Sequence, residues 1–252
     1  SSSNGSSPVH ISAPETAPLS ELLPISGVTP EALRANAERF RDFLKGEAVD
    51  QGLRFVDICH TAATRRRHHY HRLTIVASSL EEASERLTAA MEEPGVAKNA
   101  QPEPVFVFTG QGPQWWGMGR ELLAHEPVFR SKIEECDRII RSFGGWSLLE
   151  EMSADESNSR INETHIAQPA ICALQIALAS LWESWGIRPS AIVGHSVGEI
   201  AGAHIAGVLS LRDAMAVIYH RGRCMEGAVE GRMLAAGMPP QEAEALVSKV
   251  PG

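Results

Sequence analysis

Tyrosine occurs twice in 252 residues and cysteine four times. The cysteines, Cys59, Cys136, Cys172 and Cys224, stand far apart, with no C-x-x-C pair and no histidine at metal-ligand spacing. That argues against a structural zinc centre or a disulfide framework and leaves buried thiols of a cytoplasmic protein; no metal site is expected. Basic surplus is lacking too. With Lys+Arg 23 against Asp+Glu 31 and a net charge of -8, the chain offers no basic stripe for a nucleic acid. No run of about 18 apolar residues is present, so no membrane span is expected. The first residues, "SSSNGSSPVH", have neither the charged start nor the apolar centre of a secretion signal, and residues 1–20 are expected to be a disordered or linker tail. No internal repeat is evident.

Against these absences stand alternating strand and helix signals. "ELLPISG" reads as a short strand, and "TPEALRANAERFRDFLKG" as a helix with Thr29 as N-cap, Pro30 in the first turn and Gly46 as stop. A further helix is expected within Leu53–Thr64, a strand at "HRLTIVAS", and a helix at "SLEEASERLTAAMEEPG", with Ser79 and Glu82 as a capping box. Residues 21–100 are therefore expected to form a small α/β unit, closed by the proline-rich joint "NAQPEPV". Beyond it, "VFVF" reads as a buried parallel strand emptying into the turn "TGQGPQWWGMG". Helices are expected at "RELLAH", "PVFRSKIEECDRIIRSF" and "QPAICALQIALASLWESWG", the last with Ile171, Leu174, Leu178, Leu181 and Trp185 on one stripe. A strand at "SAIVGHS" and a helix at "LRDAMAVIYHRGRCMEGA" follow, making residues 101–252 α/β with a mainly parallel sheet.

The chemistry concentrates in "AIVGHSVGEIAG". Gly194, Ser196 and Gly198 have the G-x-S-x-G spacing of a nucleophile elbow, a strand-to-helix bend that holds a serine hydroxyl exposed. The pentapeptide alone also fits a tight turn with no chemistry. A serine nucleophile needs a base and donors for the oxyanion. Val197 N–H is one candidate donor, and the "GQG" turn around Gln111 is the other. Gln168 stands at the start of the helix leading to the elbow strand, where it reads as a cap, and Arg221 reads as a solvated charge or as a clamp for a carboxylate. Trp115 and Trp116 suit a core or a pocket wall.

Taken in order, "VFVFTGQGPQWWGMG", "HIAQPA", "GHSVGEIAGAHIAG" and "YHRGRCM" resemble the motifs of malonyl/acyl-CoA:acyl-carrier-protein transacylases, above all the acyltransferase domains of type I polyketide synthases. The unit before them resembles the linker between ketosynthase and acyltransferase. The resemblance implies a hydrolase-like parallel sheet flanked by helices and truncated, with a ferredoxin-like subdomain starting near residue 231 at "MLAAG". It implies Ser196 as the acylated nucleophile, the backbone amides of Gln111 and Val197 as oxyanion donors, Gln168 as a pocket residue and Arg221 as the partner of a malonyl carboxylate. Val197 resembles the apolar residue that malonyl-selective domains often carry after the serine. The substrate implied is a coenzyme A thioester, malonyl-CoA or a related extender. The partners implied are an acyl carrier protein bearing phosphopantetheine and the adjoining ketosynthase, in polyketide or fatty-acid synthesis, with no bound cofactor. "RRRHHYHR" at 65–72 then suits either a solvated turn or a contact with one of those partners. In this family the base is a histidine roughly 100 residues beyond the serine, where this sequence has none; that makes an inactive docking fragment one alternative, and a serine esterase of α/β-hydrolase type, which would itself need an acid and a histidine downstream, is the other.

Overall fold

The computed structural model describes residues 20–92, 103–227 and 237–248. Residues 1–19 of the expected tail and the start of the expected ferredoxin-like subdomain, residues 231–236, lie outside them. Two compact units, Ser1–Glu103 and Pro104–Gly252, divide the chain within "NAQPEPV".

In the first unit the order is β1 (Glu21–Gly27), α1 (Pro30–Lys45), α2 (Glu47–Asp50), α3 (Phe55–Thr64), β2 (His71–Ala77) and α4 (Leu80–Glu92). The strands pair antiparallel from Glu21 opposite Ala77 to Gly27 opposite His71. Alternate residues bury Leu23 and Ile25 of β1 and Ile75 and Ala77 of β2 against Ala37, Leu44, Ala62 and Leu87 of the helices. Helix α1 starts where its cap dictates, with the Thr29 hydroxyl accepting from Ala32 N–H at 3.2 Å. At α4 the expected box is shifted by one residue. Glu82 N–H donates to Ser79 Oγ at 3.1 Å, but the Glu82 carboxylate reaches past Ser79 to accept from Ser78 N–H at 2.8 Å and from its hydroxyl at 2.7 Å.

Those bonds, the backbone one first, hold the Glu82 carboxyl at about 2 instead of its ordinary 4.5. A carboxyl whose pKa falls on folding stabilises the folded state above its unfolded pKa and loses that contribution as pH drops through the folded value. Glu82→Gln is therefore expected to flatten the acid limb of stability between pH 4.5 and about 2. Denaturant midpoints measured across that range check it; parallel profiles for parent and variant would show that the carboxylate contributes nothing.

The second unit runs β3 (Val105–Phe108), α5 (Arg120–His125), α6 (Pro127–Gly144), α7 (Leu148–Ser153), a 3-10 turn at Glu156–Asn158, α8 (Thr164–Ser184), β4 (Ala191–Gly194), α9 (Val197–Ile205), α10 (Leu211–Glu226) and α11 (Pro240–Val247). β3 and β4 pair in parallel, Val105 with Ala191 through Phe108 with Gly194, so both carboxyl ends open at one place. Helix α8 is the core. It packs on α6, α9 and α10, and its own Ile166 and Ile176 are fully buried with Phe129, Ile133, Ile140 and Met215 of its neighbours. Its length and mean hydropathy of 1.3 would suit a membrane span, but 72% of that window is buried within the unit, which marks a core helix.

The structure corrects three expectations in this unit. Helix α8 begins at Thr164, so Gln168 sits in its second turn and not at its start. Pro169 interrupts one backbone bond there, but α10 packs closely enough on the added turn that a Cβ on Gly222 would lie 3.1 Å from His165 Cα; tertiary contact overrides the local rule. The single apolar stripe is also too narrow. Ala167, Ala170, Ala173 and Ala177 bury the other faces, while Trp185 stands at the end, 55% exposed. Third, "VFVF" is not buried on both faces: Val107 is 68% exposed, because the described residues cover only the opposite face of the sheet.

The cysteines divide in two. Cys59, Cys136 and Cys172 are buried, but Cys224 is exposed, on the solvent side of α10, against the expectation of four buried thiols. Burial pushes Cys136 up to about 12 and Cys59 up to about 11, and raises Cys172 as well.

Candidate functional site

β4 ends at Gly194 and α9 begins at Val197, so His195 and Ser196 must turn the chain within two residues. Ser196 takes φ 55 and ψ -113, the one non-glycine residue with positive φ among the described residues. Such a conformation costs about 1–3 kcal/mol and persists only where the surroundings over-determine it. Here they do. A Cβ on Gly194 would lie 2.6 Å from Glu199 Cα, and one on Gly198 would lie 2.1 Å from the Phe108 carbonyl oxygen, so helix, bend and β3 touch backbone to backbone. His195 N–H donates to Phe108 O at 3.0 Å, and Ser196 N–H donates to Glu199 Oε1 at 3.1 Å. The hydroxyl stands at the head of α9 beside the turn that leaves β3.

That turn and two helices converge on Ser196. Arg221, from α10, donates Nη2–H to Ser196 Oγ at 3.0 Å and Nη1–H to Gln168 Oε1 at 2.6 Å. Gln168 is fully buried and donates in turn to Gln111 Oε1 at 3.1 Å, with Met225 Sδ at 3.2 Å from the same nitrogen. A connected path thus runs from the β3 turn through α8 and α10 to the serine oxygen. Neither Gln111 N–H nor Val197 N–H has a hydrogen-bond acceptor among the described residues. The sequence-derived residues Ser196, Gln111, Val197, Gln168 and Arg221 therefore form one cluster at the carboxyl ends of the parallel strands, where open α/β sheets carry their sites.

No histidine of the described residues bonds the serine hydroxyl. The His195 ring packs against Gly110, His204 Nδ1 lies 3.0 Å from Leu209 O, and His220 stacks near Phe143 and Tyr219. His165 pairs with Glu226 on α10, near Glu163. Trp116 lies under the Arg120 guanidinium, 4.4 Å from it, while Trp115 is 58% exposed.

Sequence reasoning passes over two side chains. Glu199 locks the serine amide; its signal was the S-x-x-E spacing of a capping box, hidden inside the elbow motif. Gln175 donates to Thr109 O at 2.8 Å; only its heptad spacing from Gln168 hinted at it.

Residues 105–251 match the family model described as acyl transferase domain, and residues 21–87 match the one described as CurL-like, PKS C-terminal. The chain is similar to the highly reducing polyketide synthase pks5 of Leptosphaeria maculans, 40% identical over 205 residues, which is 79% of this chain and 8% of that protein. It is similar to the squalestatin tetraketide synthase of Phoma sp., 38% identical over 248 residues, 94% of this chain and 9% of that one. Among solved structures it is similar to the acyl transferase domain of ZmaA, with TM-score 0.81 and 28% identity over 92% of this chain and 54% of that one. The acyltransferase domain from module 8 of the salinomycin polyketide synthase gives TM-score 0.70 and 35% identity over 82% and 50%. The chain thus spans about a tenth of the length of these curated relatives and about half of each solved domain.

Proposed function

Because this chain belongs to the acyl transferase domain family of polyketide synthases, we propose that it carries the nucleophile, the oxyanion donors and the carboxylate clamp of an extender-loading acyltransferase, preceded over residues 21–100 by a linker unit. The carrying observation is the Arg221 guanidinium, which lies within hydrogen-bond distance of both Ser196 Oγ and Gln168.

In this reading the thioester carbonyl of malonyl-CoA sits over Ser196. The Oγ attacks that carbon while a base takes its proton, and the negative oxygen is held by the Gln111 and Val197 amides. Collapse of the tetrahedral intermediate breaks the C–S bond, and the proton passes to the departing thiolate of coenzyme A. The phosphopantetheine thiol of a carrier protein then attacks the seryl ester and regenerates the hydroxyl. Arg221 holds the far carboxylate in a bidentate pair, which orients the acyl group and disfavours substrates without that charge. The base is assigned to a histidine in the portion of the domain that this chain does not match. The reaction belongs in the cytoplasm, next to a ketosynthase.

Incubation with malonyl-CoA followed by peptide mass mapping tests this. A malonyl ester on the peptide bearing Ser196 is expected. An ester that forms only when the remainder of an acyltransferase domain is added as a second chain places the base there. Faster hydrolysis of a simple ester than uptake of malonyl would instead assign the site to an esterase.

A further inference from the structure

Helix α8 presents two buried glutamines seven residues apart, hence on one side of the helix. Both reach the same turn. Gln168 holds the Gln111 side chain at 3.1 Å, while Gln175 Nε2 donates to the Thr109 carbonyl at 2.8 Å and lies 3.3 Å from Thr109 Oγ1. Between these two anchors sits Gly110, pressed against the elbow from the other side: a Cβ there would lie 3.0 Å from His195 Nδ1 and 3.4 Å from Ser196 Cβ. The turn is gripped by α8 on one flank and by the bend on the other.

For packing alone Gln175 is a poor choice. It is 9% exposed, and its Oε1 has no hydrogen-bond partner among the described residues. A buried carbonyl left unmatched is unfavourable, and a methionine would fill the same space without it. What no apolar residue can do is donate to the carbonyl one peptide before the Gly110–Gln111 amide.

We propose that Gln175 is a positioning residue for acyl transfer: by pinning the Thr109 carbonyl it fixes the Thr109–Gly110 peptide, and with Gly110 held against the elbow and the Gln111 side chain held by Gln168 this aims the Gln111 N–H at the oxygen that becomes negative. This rests on the acyl-transfer reading above, in which that amide is an oxyanion donor. Misaiming one such donor slows the chemical step and leaves substrate binding largely intact.

The test compares the parent chain with Gln175→Met, which keeps the volume and removes the donor, and Gln175→Glu, which donates only when protonated. Backbone order parameters from 15N relaxation read the turn directly. In Gln175→Met the amides of Gly110 and Gln111 are expected to fall from about 0.85 towards 0.6, with α8 as rigid as before and the melting temperature unchanged or raised. Malonylation of Ser196 is expected to fall roughly 10- to 100-fold in kcat with KM little altered. Gln175→Glu is expected to regain order as the pH is lowered, and its rate deficit relative to the parent at the same pH is expected to shrink. A Gln111 amide that stays rigid in Gln175→Met overturns the proposal whatever the activity, as does joint loosening of α8 and turn, which marks a packing role. A turn that loosens on substitution in a chain that takes up no malonyl even when the remainder of an acyltransferase domain is supplied retains the positioning contact and refutes the acyl-transfer reading instead.

Discussion

An Arg221→Glu protein is expected to take up malonyl from coenzyme A at least roughly 10²-fold more slowly than its parent, with acetyl uptake near the parental rate. The argument starts from geometry. The guanidinium already lies within 3.0 Å of the serine oxygen and 2.6 Å of Gln168, so its two terminal nitrogens face the place where an acyl chain on Ser196 must begin. A carboxylate arriving there exchanges two neutral acceptors for a charged one. Hydrogen bonds to charged groups contribute about 1.5–3 kcal/mol. Losing about 3 kcal/mol corresponds to roughly 10²-fold in rate, and a glutamate adds repulsion to that loss. Acetyl has no charge to lose. Parallel time courses with malonyl-CoA and acetyl-CoA, read as adducts by intact mass, separate the cases. If both acyl groups are affected alike, Arg221 serves the nucleophile and not the substrate carboxylate.

The second large effect concerns the bend. Gly198→Ala places a methyl 2.1 Å from the Phe108 carbonyl oxygen, 2.4 Å from its carbon and 2.8 Å from Thr109 O. All three atoms are backbone, so no side chain can swing away. Either α9 retreats from β3 or β3 separates from β4, and both routes move Ser196 away from the turn that follows β3. Overpacking at such a contact costs on the order of 3 kcal/mol, and Ser196 already stores strain there. The expected outcome is a lowered melting temperature together with complete loss of Ser196 acylation. Retention of parental stability would mean that the elbow has slack the close contacts deny.

How much of this could be read beforehand depends on the range of the signal. Local signals were legible: Thr29 caps α1, Gly46 ends it, and Ser196 makes a bend between two glycines. Each depends on neighbours a few residues away. The cluster of Gln111, Gln168 and Arg221 around Ser196 was legible only through resemblance to a family, since spacings of 57, 53 and 25 residues carry no periodicity. What remained hidden was set by tertiary contact. The early start of α8 depends on Gly222 of a helix some 50 residues later, and the exposure of Val107 depends on what lies over the sheet. Glu199 was overlooked for a different reason: its bond to the serine amide is local, but a motif already explained the residues around it.

The uneven fate of the cysteines has a practical side. Three thiols are buried and held protonated, whereas Cys224 faces solvent on α10, three residues beyond the guanidinium of Arg221. A maleimide dye would therefore attach at a single address, one helical turn from the clamp. Its fluorescence could follow extender arrival in real time without any engineered label.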